Sequence, residues 1–225
     1  MIAPVPEYVN YLFIFTTMLT LWFFYKASQS KLAVFILLGW IALQGIISDS
    51  GFYIITNTVP PHFVFLVLPP LVLIAYVLLS KPGQHFIDSL DTRWLTYLHV
   101  IRIPVEVTLY FLFVNKLLPE LMTFEGNNFD ILSGITAPII AYFGYSAKKL
   151  SKGVLLGWNF LCLALLFNIV TTAVLSAPFP FQQFAFEQPN VGVLYFPFSW
   201  LPGFVVPMVL FSHVVSIRQL LKVKL

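Results

Sequence analysis

The strongest constraint on this chain is a set of seven apolar runs, each near the about 20 helical residues that cross a roughly 30 Å hydrocarbon layer. They fall at residues 8–25, 32–56, 62–80, 94–118, 129–147, 153–176 and 197–217. None shows the short alternating segments of a membrane barrel, so the sequence predicts an all-α integral membrane protein. Composition points the same way. Residues are 59% hydrophobic and only 9% charged, whereas a soluble domain carries about 25% charged residues. A water-facing surface cannot be built from that supply. The formal net charge of +3 is too small to imply a nucleic-acid partner, and the single cysteine, Cys162, excludes an intrachain disulfide. Residues 1–10 contain no basic stretch of the kind that opens a signal peptide, so the first run is expected to be retained as a helix.

Basic residues set the expected orientation, because cytoplasmic loops retain Lys and Arg. In a seven-helix chain Lys26, Lys31, Lys81, Arg93, Lys148, Lys149, Lys152, Arg218, Lys222 and Lys224 all fall on one side. The expectation is therefore an outer N-terminus and a cytoplasmic C-terminus, in a plasma membrane or bacterial inner membrane. Asp130, with Glu120, Glu125 and Glu187, is placed on the outer side. The long outer connection, residues 177–200, is dense in Phe, Tyr and Pro. Proline removes backbone donors and blocks a regular helix, and this composition suits a headgroup belt or a lid over the bundle mouth.

Residues 1–225 read as one membrane domain with an internal repeat. Phe23-Phe24-Tyr25, Lys31 and Leu37-Leu38-Gly39-Trp40 recur as Phe143-Gly144-Tyr145, Lys152 and Leu155-Leu156-Gly157-Trp158. Prolines interrupt the third helix of each set, Pro69-Pro70 in one and Pro202 with Pro207 in the other. The units span about 8–80 and 129–217, joined by a linker helix at about 94–118. This 3+1+3 parallel plan resembles the SWEET sugar carriers, in which two parallel repeats surround a central route. The resemblance implies a transport route along the bundle. It lies in the plan alone, since the Pro-Gln pair of related carriers is absent, and it transfers no binding residue.

Polar residues inside the apolar runs mark the candidate site. On the fourth helix His99, Arg102 and Glu106 share one face at i, i+3 and i+7, and intramembrane ionisable residues are functional candidates by default. At 1.5 Å per residue, His99, Asn159 and His213 lie about 7–9 Å above the inner boundary. Glu106, Asn168 and Asp49 lie at about 20–25 Å by the same count. Arg102 stands between the two tiers, and its i+4 relation to Glu106 suggests an ion pair on one helix. Pro104, between them, disturbs the backbone.

These residues predict a transporter or channel for a small molecule or ion, with the polar site centred on the fourth helix. A seven-helix sensor or receptor is the alternative. So is an intramembrane metal or haem protein using His99 and His213, by direct metal ligation or on either side of a b-type haem. No cofactor is required by the sequence, and no His-Glu-x-x-His, Gly-x-Ser-x-Gly or Cys-pair motif indicates catalysis. The lipid bilayer is the expected surrounding, and the aromatic faces are compatible with a homo-oligomer.

Overall fold

The computed structural model describes residues 5–222, so Met1 and the basic residue Lys224 lie outside the described residues. Every regular element among the described residues is helical, with no strand. The first two helices are α1 (Glu7–Ser28) and α2 (Lys31–Asp49). After a short 3-10 turn come α3 (Val64–Leu79) and α4 (Lys81–Asp88). The fourth apolar run is α5 (Thr92–Leu98), a 3-10 turn at His99–Ile101, and α6 (Arg102–Val114). Then follow α7 (Ile131–Ile140), α8 (Lys152–Leu175) and α9 (Val206–Lys222). A π-helical turn extends α7 through Ala141–Ser146, and another leads into α9 at Leu201–Val205.

Among the described residues five helical stretches are long and apolar enough to cross a membrane: Glu7–Ser28, Lys31–Asp49, Thr92–Val114, Lys152–Leu175 and Leu201–Lys222. A sixth is added if α3 and α4, bent by 88° at Ser80, form one broken span. The fifth apolar run carries the shorter helix Ile131–Ser146.

Local chemistry explains the ends of these helices. Pro6 precedes α1 and Glu7 lies in its first turn, where a fixed φ and a negative charge suit the positive helix terminus. Ser30 and Ser151 cap α2 and α8, each accepting a bond from the N–H three residues on, which satisfies a donor the helix leaves orphaned. Pro104 sits in the first turn of α6 rather than mid-helix, so its missing N–H costs no intrahelical bond. The adjoining 3-10 turn is the backbone's answer to that proline.

The Thr92–Val114 span is the hub. It packs against α1, α7 and α9, while α8 packs on α9. At the basic end, the Asp91 N–H donates to the Ala27 carbonyl at 3.0 Å, and Lys26 lies over the Trp94 ring at 5.1 Å. Asp88 there takes Lys222 at 2.5 Å and Arg218 at 3.4 Å, joining α4 to α9. At the opposite end the 177–200 connection turns inward. Gln188 donates to the Phe113 and Leu118 carbonyls, and Phe179 lies 5.4 Å from Phe63, whereas Phe181, Phe184 and Phe186 stay exposed.

Helix α2 holds to the bundle by two indole bonds. Trp40 Nε1 donates to the Gly203 carbonyl at 2.8 Å and Trp200 Nε1 to the Ile41 carbonyl at 2.9 Å. The matched residue of the proposed repeat, Trp158, donates instead to Thr136 Oγ1 on α7, so the two Trp residues find unlike partners. Gly203 also lets α3 approach closely, because a Cβ there would stand 2.5 Å from Leu66 Cδ1. Overpacked cores lose about 1–3 kcal/mol. Gly203→Val is therefore expected to destabilise the protein by that order, and by less when combined with Leu66→Ala than the two single changes predict together. Thermal unfolding of the four proteins in detergent measures this; strict additivity would remove the contact from the account.

Candidate functional site

Around Arg102 the bundle buries a polar cluster drawn from four helices. Arg102 is 2% exposed and forms an ion pair with Asp130, the residue that precedes α7. Its Nη1 also donates to the Cys162 carbonyl of α8 at 3.3 Å, and its Nη2 donates to His213 Nε2 of α9 at 2.9 Å. Because a guanidinium only donates, His213 Nε2 must be the bare nitrogen. Its proton therefore sits on Nδ1, which donates to Asn159 Oδ1 at 2.9 Å. The Asn159 amide in turn donates to the Leu155 carbonyl. The chain Asn159, His213, Arg102, Asp130 is thus consistently oriented, with His213 as the neutral tautomer.

His99 is fully buried and stacks on His213, ring centroids 3.9 Å apart and planes at 18°, with Trp158 edge-on at 5.5 Å. Neither ring nitrogen of His99 makes a hydrogen bond among the described residues. Stacked imidazoles 3.9 Å apart leave no room for a porphyrin between them, and His213 Nε2 faces a guanidinium. The arrangement therefore does not fit the haem or metal role considered for His99 and His213. Among the described residues no group of three or more His, Cys, Asp or Glu side chains is placed to hold a metal ion.

The pairing expected between Arg102 and Glu106 is corrected by the structure. Arg102 turns to Asp130. Helical side chains lean toward the helix N-terminus, and an acidic residue C-terminal to its basic partner is the weaker order at i, i+4. Glu106, 1% exposed, instead accepts from Asn128 Nδ2 at 2.6 Å through Oε1. Asn128 also donates to the Met122 carbonyl and accepts the Asp130 N–H, so one amide ties the Glu106 carboxyl to the Asp130 backbone. The second Glu106 oxygen, Oε2, is buried without a hydrogen-bond partner.

That free oxygen belongs to a side chain in the wall of a cavity of about 240 Å³. Val105 and Leu109 of α6, Leu166 and Val170 of α8, and Val206 and Leu210 of α9 form much of the lining. Among the described residues, those of its lining that are ionisable are Glu106 and Asp130. Leu71 of α3 and Phe167 and Val174 of α8 also line it and are exposed, which puts its mouth on the apolar outer surface between α3 and α8. Ala177, Asn190 and Val193 of the aromatic connection close one end.

Of the residues nominated from the sequence, His99, Arg102, Asn159 and His213 meet, and Glu106 stands beside them. Asp49 is exposed at the end of α2, and Asn168 is exposed on α8, donating to the Asn127 carbonyl at 3.0 Å. Neither joins the cluster. Asp130 and Asn128, which the sequence reading left out of the site, belong to it. The available signal was the need of Arg102 for a counter-charge, which the i, i+4 spacing assigned to Glu106.

An all-helical membrane protein with a buried polar cluster beside an apolar cavity is the class that fold and site define. Residues 59–221 match the sequence model of a domain of unknown function, DUF8737, and the chain belongs to that family. No curated protein and no solved structure matches the chain. The whole polar cluster and every cavity residue fall within the matched region, whereas α1 and α2 precede it.

The two asparagines of α8 offer a direct check. Removing the Asn159 acceptor leaves the His213 N–H buried without a partner, a loss of about 1–3 kcal/mol. Asn159→Leu should lower stability by that amount, and Asn168→Leu should stay within about 0.5 kcal/mol of wild type. Equal effects in a thermal melt would contradict the hydrogen-bond chain.

Proposed function

We propose that this protein binds a small, largely apolar molecule taken from the bilayer, with Glu106 as the polar anchor of the site, and that it moves its ligand as a transporter does. The observation that carries the reading is the buried Glu106 Oε2, without a partner in the wall of a largely apolar cavity. Ligand sites have this character: apolar walls with a few placed polar groups.

Support for movement comes from the backbone. The cavity is bordered by two irregular helices: α3 with Pro69-Pro70 inside it, and α9 with the π turn that opens it. Irregular backbone at membrane depth goes with cavity walls, and π turns recur at functional sites. Transport rather than static binding is thereby favoured. Seven crossings, with the N-terminus outside and the C-terminus cytoplasmic, complete the proposal. They rest on the basic residues gathered at one end and on Ile131–Ser146 serving as a short crossing. The parallel 3+1+3 repeat is kept as a proposal of sequence alone, carried by the two Leu-Leu-Gly-Trp blocks.

The test is thermal stabilisation of the protein in zwitterionic nanodiscs by decyl compounds carrying an amine, hydroxyl or carboxylate head. A ligand at a hundred times its Kd adds about 2.7 kcal/mol. At least one head group is expected to stabilise the wild type and to lose that effect in Ala173→Phe, which fills the cavity. No stabilisation by any of them, or stabilisation that survives the filled cavity, would overturn the reading.

A further inference from the structure

The buried charges identify the kind of head group the cavity takes. Arg102 supplies one positive charge and Asp130 one negative, and the two are joined directly. His213 is held neutral by its two hydrogen bonds. Glu106 is left over. An ionised carboxyl in this position is one charge short of balance, and an uncompensated buried charge is strongly unfavourable. The Asn128 amide occupies one of its oxygens with a single bond, and the other is buried without a partner in a residue of the cavity wall.

We infer that the cavity takes a monocationic amphiphile, an ammonium group on a hydrocarbon body, with the ammonium seated on Glu106 Oε2. This inference rests on the ligand-binding reading above and adds the ligand's charge to it. The cation completes a neutral set of two positive and two negative charges. Its N–H donors meet the oxygen that has no partner, in the charge-assisted geometry that makes such bonds strong. The hydrocarbon body then lies between Leu109, Leu166 and Val170. An anionic head would meet two carboxylates, and a hydroxyl would leave the charge unbalanced. Asp130 is unavailable to the ligand because Arg102 already holds it.

A proton and the ammonium compete for the same oxygen, so binding is linked to pH through Glu106. The groups facing it are few. Arg102 lies on its own span and Asp130 at the start of α7, while the buried positions of α1 are not titratable. Among the described residues the other lining side chains, including Met122 of the 3-10 turn at 120–122, carry no ionisable group.

Binding of decylamine and of 1-decanol to the full chain in zwitterionic nanodiscs, by the same thermal shift, tests this. An alkylammonium, with a pKa near that of lysine at about 10.4, stays charged from mildly alkaline to acidic pH. Decylamine should bind the wild type at least about tenfold more tightly than decanol, a difference of about 1.4 kcal/mol. Acidification should weaken decylamine and leave decanol unchanged. Glu106→Gln should abolish both the preference and its pH dependence while still binding decanol. Should that variant not fold, the wild-type pH series decides by itself. Equal binding of amine and alcohol, or an amine preference untouched by Glu106→Gln, overturns the cationic assignment and leaves the cavity reading standing. If no decyl compound binds in a manner sensitive to Ala173→Phe, the cavity reading fails, and the cationic assignment with it.

Discussion

The ion pair between Arg102 and Asp130 is the contact on which the interior of this bundle depends. It joins the central span to the start of α7, and the same guanidinium reaches α8 through the Cys162 carbonyl and α9 through His213. Two buried charges joined well are tolerable, but either one alone is not, and breaking such a pair costs about 3–5 kcal/mol. Four helices are thus held in one arrangement by a group whose donors cannot be satisfied by lipid. The His99–His213 stack and the Asn159 bond follow from it, since both need the His213 ring fixed in its place.

Because Asp130 takes the arginine, Glu106 is freed. The unpartnered carboxyl oxygen is therefore a by-product of that pairing: the carboxyl that shares a helix face with Arg102 is left in the cavity wall. Asn128 links the two residues by donating to the Glu106 carboxyl and accepting the Asp130 backbone N–H. Close packing protects the arrangement, for a Cβ on Gly134 would stand 2.9 Å from Ile103 Cγ1 and 3.3 Å from Arg102 Cβ. Only glycine lets α7 come near enough for Asp130 to reach its partner.

The helices were largely legible in the sequence, since long apolar runs in a chain with so few charges have no other use. The meeting of His99, Asn159 and His213 was foreshadowed by counting height along each helix. Height, however, says nothing of facing. Asn168 lies nine residues beyond Asn159, about two and a half turns, and so on the opposite side of α8, where it is exposed. Asp49 fails for a different reason, because α2 sits at the margin of the bundle. Asp130 was hidden by a length. The helix Ile131–Ser146 has 16 residues, about 24 Å at 1.5 Å per residue, short of a 30 Å layer. Asp130 directly precedes its first turn and is buried against Arg102, rather than at the outer surface to which the sequence assigned it. The tempting i, i+4 partner for Arg102 then concealed the need for any other.

A double-mutant cycle in nanodiscs tests this account most directly, using Arg102→Met with Asp130→Leu and, in parallel, Arg102→Met with Glu106→Leu. Stability is read from reversible thermal or denaturant unfolding. The pairing described here predicts a coupling of about 2–3 kcal/mol between Arg102 and Asp130, at the upper end for contacting residues, with the double variant more stable than either single one. It predicts a markedly smaller coupling between Arg102 and Glu106. The reverse order, with the larger coupling to Glu106, would return the arginine to its helix neighbour and contradict the account of both the fold and the cavity.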